Sequence, residues 1–229
     1  MKNIQRAENF RSVPGLAGRS LIQIASQPPV VQIEAAVMIE PSKLQTTKFL
    51  KGHLLLDGGD LGGSFFQRTV VLICQHDAEG AFGLILNKQT DNKVGDVLVA
   101  DLPEQLKESS LFLGGPVQPN AMSYLHTDIF IPDANVLPNL ELGHSLDELM
   151  DLGESFSATQ KIKMFAGYAG WSPGQLEDEM NRKSWLTHPA SIELVFETDP
   201  QNLWQMIIRQ KEGWKYKLLS QTPDDLSMN

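Results

Sequence analysis

The sequence predicts an α+β fold, in which many strands are interspersed with a few short helices. Three observations carry this expectation. Two apolar runs, Arg68 to Gln75 (RTVVLICQ) and Ala81 to Asn87 (AFGLILN), are joined by a short loop ending in Gly80. Helix starts are marked by Ser145-Leu146-Asp147-Glu148 and by Asp199-Pro200. Between and around them lie further strand-like pieces.

Residues 1–48 read as an extension, partly disordered, with Pro28-Pro29 and only short apolar pieces such as Leu21 to Ile24. Residues 49–229 form the domain. Its first clear element is the hairpin, and because both runs are apolar on both faces the hairpin belongs in the middle of the sheet. Pairing Gln75 with Ala81 sets Thr69 opposite Asn87 and puts Arg68 and Asn87 together at the open end.

Leu111 to Leu113 runs into Gly114-Gly115-Pro116, where the strand must bend or end because Pro116 cannot donate to a ladder. Met122 to His126 continues as a strand. The Ser145 capping box opens a helix for which Gly153 is the expected stop. Lys161 to Gly167 and Ser191 to Glu197 are expected as strands, the second from its alternation of Ile192, Leu194 and Phe196 with polar residues. Pro200 then starts a helix whose stripe is Leu203, Trp204, Ile207 and Ile208.

The stretch GYAGWSPGQLEDEM, Gly167 to Met180, has two parts. Ser172, Pro173 and Gln175 have the spacing of a Ser-x-x-Gln capping box, and Glu177 to Glu179 suit the positive end of a helix. Gly167, Tyr168, Ala169, Gly170 and Trp171 read as a tight structural corner or as a ligand or partner site.

Charge narrows the function. The chain carries 19 Lys/Arg against 28 Asp/Glu, and residues 49–229 hold 13 against 25. That acidic balance opposes direct binding to nucleic acid, which needs a basic footprint. No apolar run approaches the ~18 residues of a membrane-spanning helix, so no membrane role is expected. A single cysteine, Cys74, rules out an internal disulfide framework and fits the cytoplasm.

Tests for chemistry are mostly negative. The five histidines have no metal-ligand spacing, and no serine sits in a Gly-x-Ser-x-Gly elbow, so neither a metal nor a cofactor nor a catalytic set is expected. The loop Gly58 to Gly63 lacks a phosphate-binding ending and reads as a flexible turn. Glu177 and Glu179, two apart on a helix, diverge and make a poor acid/base pair. Cys74 and His76, two apart on a strand, share a face in a regular ladder, so a thiol–imidazole redox or catalytic pair is conceivable beside the reading of Cys74 as core. There remains a polar set without an obvious packing reason: Arg68, Asn87, Gln175 and Glu177, with Tyr168 and Trp171. It either satisfies strand ends or forms a cleft shared with Gly114, Gly115, Gly167 and Gly170.

Three separated motifs, RTVVLICQHDAEGAFGLILNK, LFLGGPV and GYAGWSPGQLEDE, resemble the YqgE/AlgH family over about residues 49–218. The resemblance implies a single compact α+β domain with a curved or barrel-like, largely antiparallel sheet and brings no established reaction, although some members carry the label of transcriptional regulator. The loop Asp57 to Ser64 departs from that family's usual pattern. Together these readings lead to a non-enzymatic cytoplasmic binding or regulatory protein with an unknown protein or small-molecule partner. The alternative is an enzyme or redox sensor using Cys74/His76 or a cleft around Arg68.

Overall fold

The computed structural model describes residues 49–222, Phe156 excepted. The extension expected at residues 1–48 and the last seven residues lie outside this range. The domain is α+β. Its strands are β1 (His53–Asp57), β2 (Val70–Asp77), β3 (Gly80–Ile85), β4 (Gln89–Lys93), β5 (Ser110–Leu113), β6 (Val117–Thr127), β7 (Leu140–Gly143), β8 (Lys161–Trp171) and β9 (Trp185–Pro189). The helices are α1 (Val94–Val97), α2 (Glu104–Lys107), α3 (Leu146–Glu154), α4 (Gln175–Asn181), α5 (Ile192–Phe196), α6 (Pro200–Arg209) and α7 (Trp214–Gln221).

The strands form one sheet in the order β4-β5-β8-β3-β2-β1-β9, with β6 and β7 branching from β8. The hairpin β2–β3 is central, as its two apolar faces require. Its connection is tighter than the sequence suggests, because Asp77 pairs with Gly80 and only Ala78 and Glu79 turn. The anticipated register holds for Ile73 with Gly83 and for Leu72 with Leu84, but an irregularity between Ile73 and Gln75 shifts it by one near the turn. Opposite faces of this hairpin feed two cores. Leu54, Leu72 and Leu84 pack with Val195, Leu203, Trp204 and Ile207 of α5 and α6. On the other side, Leu55, Val71 and Ile85 pack with Trp171, Leu176 and Trp185. A third cluster, including Leu106, Leu111, Tyr124, Leu149 and Met164, fills the α1–α3 side.

Strand β8 changes partners midway. Met164 to Ala166 pair in parallel with β5, and Ala169 to Trp171 pair antiparallel with β3. Between them Gly167 takes φ +70°, a left-handed conformation that L side chains rarely adopt. The segment Gly167 to Trp171 is therefore strand, and the turn into α4 comes only at Ser172 to Gly174.

Other elements depart from expectation for local reasons. Ser191 to Glu197 is helical: the Ser191 hydroxyl caps α5 by accepting from Leu194 N–H at 3.2 Å, and only Val195 is fully buried. The alternation was a helix face seen through a window of one and a half turns. Gly153 does not end α3, which continues to Glu154; it lies where the helix passes close to Pro103 and Leu106, and a Cβ there would sit 2.8 Å from both. The Ser145 cap forms as expected, accepting from Glu148 N–H.

On each of two outer strands a side chain takes up backbone groups at one position. Beside β7, the Asn135 amide accepts from Leu142 N–H at 2.8 Å and donates to Leu142 C=O at 2.9 Å. On β9, Lys211 Nζ donates to Thr187 C=O at 2.7 Å. Among the described residues no helix is long and apolar enough to cross a membrane.

Candidate functional site

The polar residues singled out in the sequence fall into three separate places. Arg68 and Asn87 do meet at the open end of the hairpin. Asn87 Nδ2 donates to Arg68 C=O and Asn87 Oδ1 accepts from Val70 N–H, both at 2.8 Å, so one side chain satisfies the two strand-end groups. Arg68 itself takes φ +52°. A non-glycine residue held there needs support from its surroundings. The support on the other side is Asp57, whose Oδ2 accepts from Arg68 N–H at 2.9 Å.

Asp57 is fully buried and organises the preceding loop as well. Its Oδ1 accepts from Gly59 N–H at 2.8 Å and Leu61 N–H at 3.1 Å. The loop expected as a flexible turn is wound around this carboxylate. Nothing in the sequence singled out Asp57, because an Asp before a glycine pair reads as turn chemistry.

Clamped in this way, Arg68 opens onto a cleft of about 790 Å³. Its guanidinium carbon lies 5.1 Å from the Trp204 ring centroid and Nη2 donates to Thr222 C=O at 2.7 Å. Lys88 stands beside it, with Nζ donating to Phe65 C=O at 2.6 Å and lying 4.0 Å from the Phe65 ring centroid; partial burial lowers its pKa. Gln67 and Asn87 line the hairpin side, and Gln201, Asn202 and Gln205 face them from the start of α6. The charged side chains lining the cleft, among the described residues, are thus two cations set among amides. The helix start was legible in Asp199-Pro200, but its meeting with Arg68 depends on a contact more than 130 residues away in sequence.

The second place is the glycine crossing. A Cβ on Gly114 would lie 2.3 Å from Gly167 O, and one on Gly115 only 2.1 Å from the Tyr168 carbonyl carbon. These glycines are needed for two backbones to touch, and they do not line the Arg68 cleft. Tyr168 stacks on Phe82 with centroids 4.8 Å apart, and Gly170 sits under the Tyr168 ring.

The third place is the start of α4. Gln175 Oε1 accepts from Ser172 N–H at 3.1 Å, the return half of the expected box, while Gly174 at φ +76° occupies the cap position and the helix begins at Gln175. Gln175 Nε2 and Trp171 Nε1 both donate to Glu179 at 2.9 Å. Glu177 points elsewhere, 3.4 Å from His76 Nε2, so the two glutamates diverge as expected.

The Cys74/His76 pair does not share a face. The register shift at Cys74 breaks the alternation: Cys74 packs in the core with Leu72 and Leu84, whereas His76 pairs with Ala81 and meets Glu177. Burial pushes the Cys74 thiol well above its ordinary range. His76 Nδ1 instead accepts from Leu50 N–H at 2.9 Å, and its ring packs edge-on against Phe49. Among the described residues no cluster of His, Cys, Asp or Glu could hold a metal ion.

Comparison with known proteins gives a consistent family. A family model described as AlgH-like matches residues 54–216. A UPF0301 protein of Chlamydia abortus is 38% identical over 181 residues, spanning 78% of this chain and 95% of that protein. A UPF0301 protein of Chlamydia pneumoniae is 34% identical over 189 residues, 82% of this chain and 100% of its own. The solution structure of the AlgH protein from Pseudomonas aeruginosa superposes with a TM-score of 0.61 at 26% identity, covering 80% of this chain and 100% of that one.

Proposed function

The chain belongs to the AlgH-like family, and from that premise we propose that it is a non-catalytic binding protein whose Arg68 cleft takes a small anionic ligand, a carboxylate or phosphate compound. The observation that carries this is the clamp on Arg68. A left-handed backbone is maintained there by Asp57 and Asn87, and it sends a guanidinium into a cleft that also holds Lys88 and several amides. Strain of this kind costs of order 1–3 kcal/mol and gathers at ligand sites. In an acidic chain Arg68 and Lys88 bring two positive charges to the lining of one cleft, an arrangement that suits an anion of matching size. Guanidinium and amide groups together provide the directional donors that orient carboxylate or phosphate oxygens.

A regulatory role in the cytoplasm follows as part of the same reading: ligand binding in the cleft would alter what the protein associates with, and any effect on transcription would be indirect, given the acidic charge. The redox alternative at Cys74 and His76 is less well supported, since the thiol and imidazole face different sides of the hairpin.

The test is native mass spectrometry of the protein purified from its own cells, beside thermal-shift titrations with citrate and AMP. A retained anion or a citrate- or AMP-dependent stabilisation that is lost in folded Lys88→Gln and Arg68→Gln variants supports the reading. Absence of any bound or stabilising anion, or equal response of the variants, overturns it.

A further inference from the structure

A buried lysine on the opposite side of Pro200 has a different chemistry. Lys163 lies on β8 opposite Leu125, on the same face as Phe165, and only 9% of it is exposed. An ammonium on the core face of a central strand is costly unless it is paired. Its neighbour Lys161 has a carboxylate partner, Glu197, at 2.5 Å. Lys163 has none within ion-pair distance among the described residues. Its Nζ donates to Val195 C=O at 2.8 Å, in the last turn of α5, and lies 4.3 Å from the Phe112 ring centroid. Lys163 lines a cavity of about 440 Å³, whose rim includes Gln89, Ser110 and Thr198. Pro200 contributes to both this cavity and the Arg68 cleft.

We propose that this cavity is a capture site for small aldehydes, with Lys163 as the nucleophile that forms a reversible imine. The nitrogen lone pair adds to the carbonyl carbon. The resulting carbinolamine expels its oxygen as water, so that an ammonium and an aldehyde become a protonated imine and one water with no net change of charge.

The surroundings favour that product over other lysine adducts. A protonated imine keeps the positive charge over the Phe112 face and has one N–H, which matches the one acceptor found for Lys163 among the described residues, Val195 C=O. An acylated lysine would be neutral and would forfeit the ring's attraction for a cation. Addition also needs a neutral amine, and burial pulls the Lys163 pKa down to about 8. Desolvated lysines of this kind are the ones that form Schiff bases.

Propanal with sodium cyanoborohydride, in an excess at which the rate no longer depends on the reductant, traps every imine as a stable secondary amine, so that peptide mass spectrometry of the wild-type chain reads the rate at which each lysine adds to the aldehyde. At pH 7.5, Lys163 should be labelled about tenfold or more faster than the exposed Lys93 and Lys217, because more of its amine is neutral. Its rate should level off above about pH 8 while the surface amines continue to accelerate toward pH 10. Labelling of Lys163 at or below the surface rate, or a rate that climbs with pH in parallel with Lys93, overturns the proposal.

Discussion

Trp171 and Trp185 donate their indole N–H groups to the same oxygen of Glu179, Oε2, at 2.9 and 2.8 Å. Their rings meet edge to face, with centroids 6.2 Å apart. One carboxylate, in the second half of α4, thus ties the end of β8 to β9. Burial pushes the Glu179 pKa up, but the hydrogen bonds from Trp185, Gln175 and Trp171 and the charge of Arg182 bring it below the ordinary value of 4.5. Glu179→Gln exchanges a charged acceptor for a neutral one and should cost about 2 kcal/mol at pH 7, measured by urea unfolding. A group with a lowered carboxyl pKa contributes stability above its unfolded value and loses it as pH falls through the folded value. The gap between wild type and variant should therefore close below pH 4.5; a gap independent of pH would refute the charged role.

His126 gives acid sensitivity in a higher window. Burial lowers its pKa below the usual 6.5, against the opposing pull of Glu141, Glu148 and Asp128. Among the described residues its Nδ1 is buried without a hydrogen-bond partner, and Nε2 lies 3.8 Å from Glu141. The unfolded chain takes up this proton first as pH falls, so stability present above 6.5 declines as pH drops toward the lower folded value. His126→Phe should flatten the urea midpoint between pH 7 and 5, whereas an unchanged slope would place the acid sensitivity elsewhere.

At the glycine crossing, Gly115→Ala would drive a Cβ into the Tyr168 carbonyl carbon and should cost at least about 3 kcal/mol, because backbone cannot rotate away as a side chain can. Gly62→Ala meets nothing within 4 Å and should stay within about 0.5 kcal/mol of wild type. Thermal unfolding of both variants distinguishes a packing requirement from a general intolerance of substitution.

The thiol of Cys74 is enclosed, with Sγ 3.7 Å from Leu72 C=O, and burial disfavours the thiolate. Alkylation by iodoacetamide at pH 7.5 should run about a hundredfold or more slower than for an exposed cysteine and accelerate only as urea opens the domain. Rapid labelling of the native protein would restore the redox reading.

What the sequence disclosed depended on the range of the interaction. The central hairpin was legible because runs apolar on both faces leave few positions in a sheet, and Asp199-Pro200 because a cap acts within one turn. Arg68 and Asn87 were placed together by strand register alone. The far wall of that cleft is not accessible to the sequence, because Gln201, Asn202 and Trp204 reach Arg68 only through tertiary packing. Gly114, Gly115, Gly167 and Tyr168 read either as a structural corner or as part of a cleft shared with Arg68; they make a close backbone contact away from Arg68, and that separation is set by tertiary packing, which leaves no periodic signature. Lys163 was hidden by the rule that charges in an alternating strand point to water. The short α5 was mistaken for a strand because five residues are too few to separate the two periods.

The outer strands bear on how this protein can meet others. At Leu142 on β7 an asparagine amide fills both hydrogen-bonding positions that a neighbouring chain would use, and at Thr187 on β9 a lysine occupies the carbonyl. An incoming peptide that sought to add itself as another strand would have to displace these groups and bury a lysine's charge to do so. Recruitment by backbone zippering, and the fibrous stacking to which bare edges are prone, is therefore disfavoured at both positions, and recognition there is left to side chains.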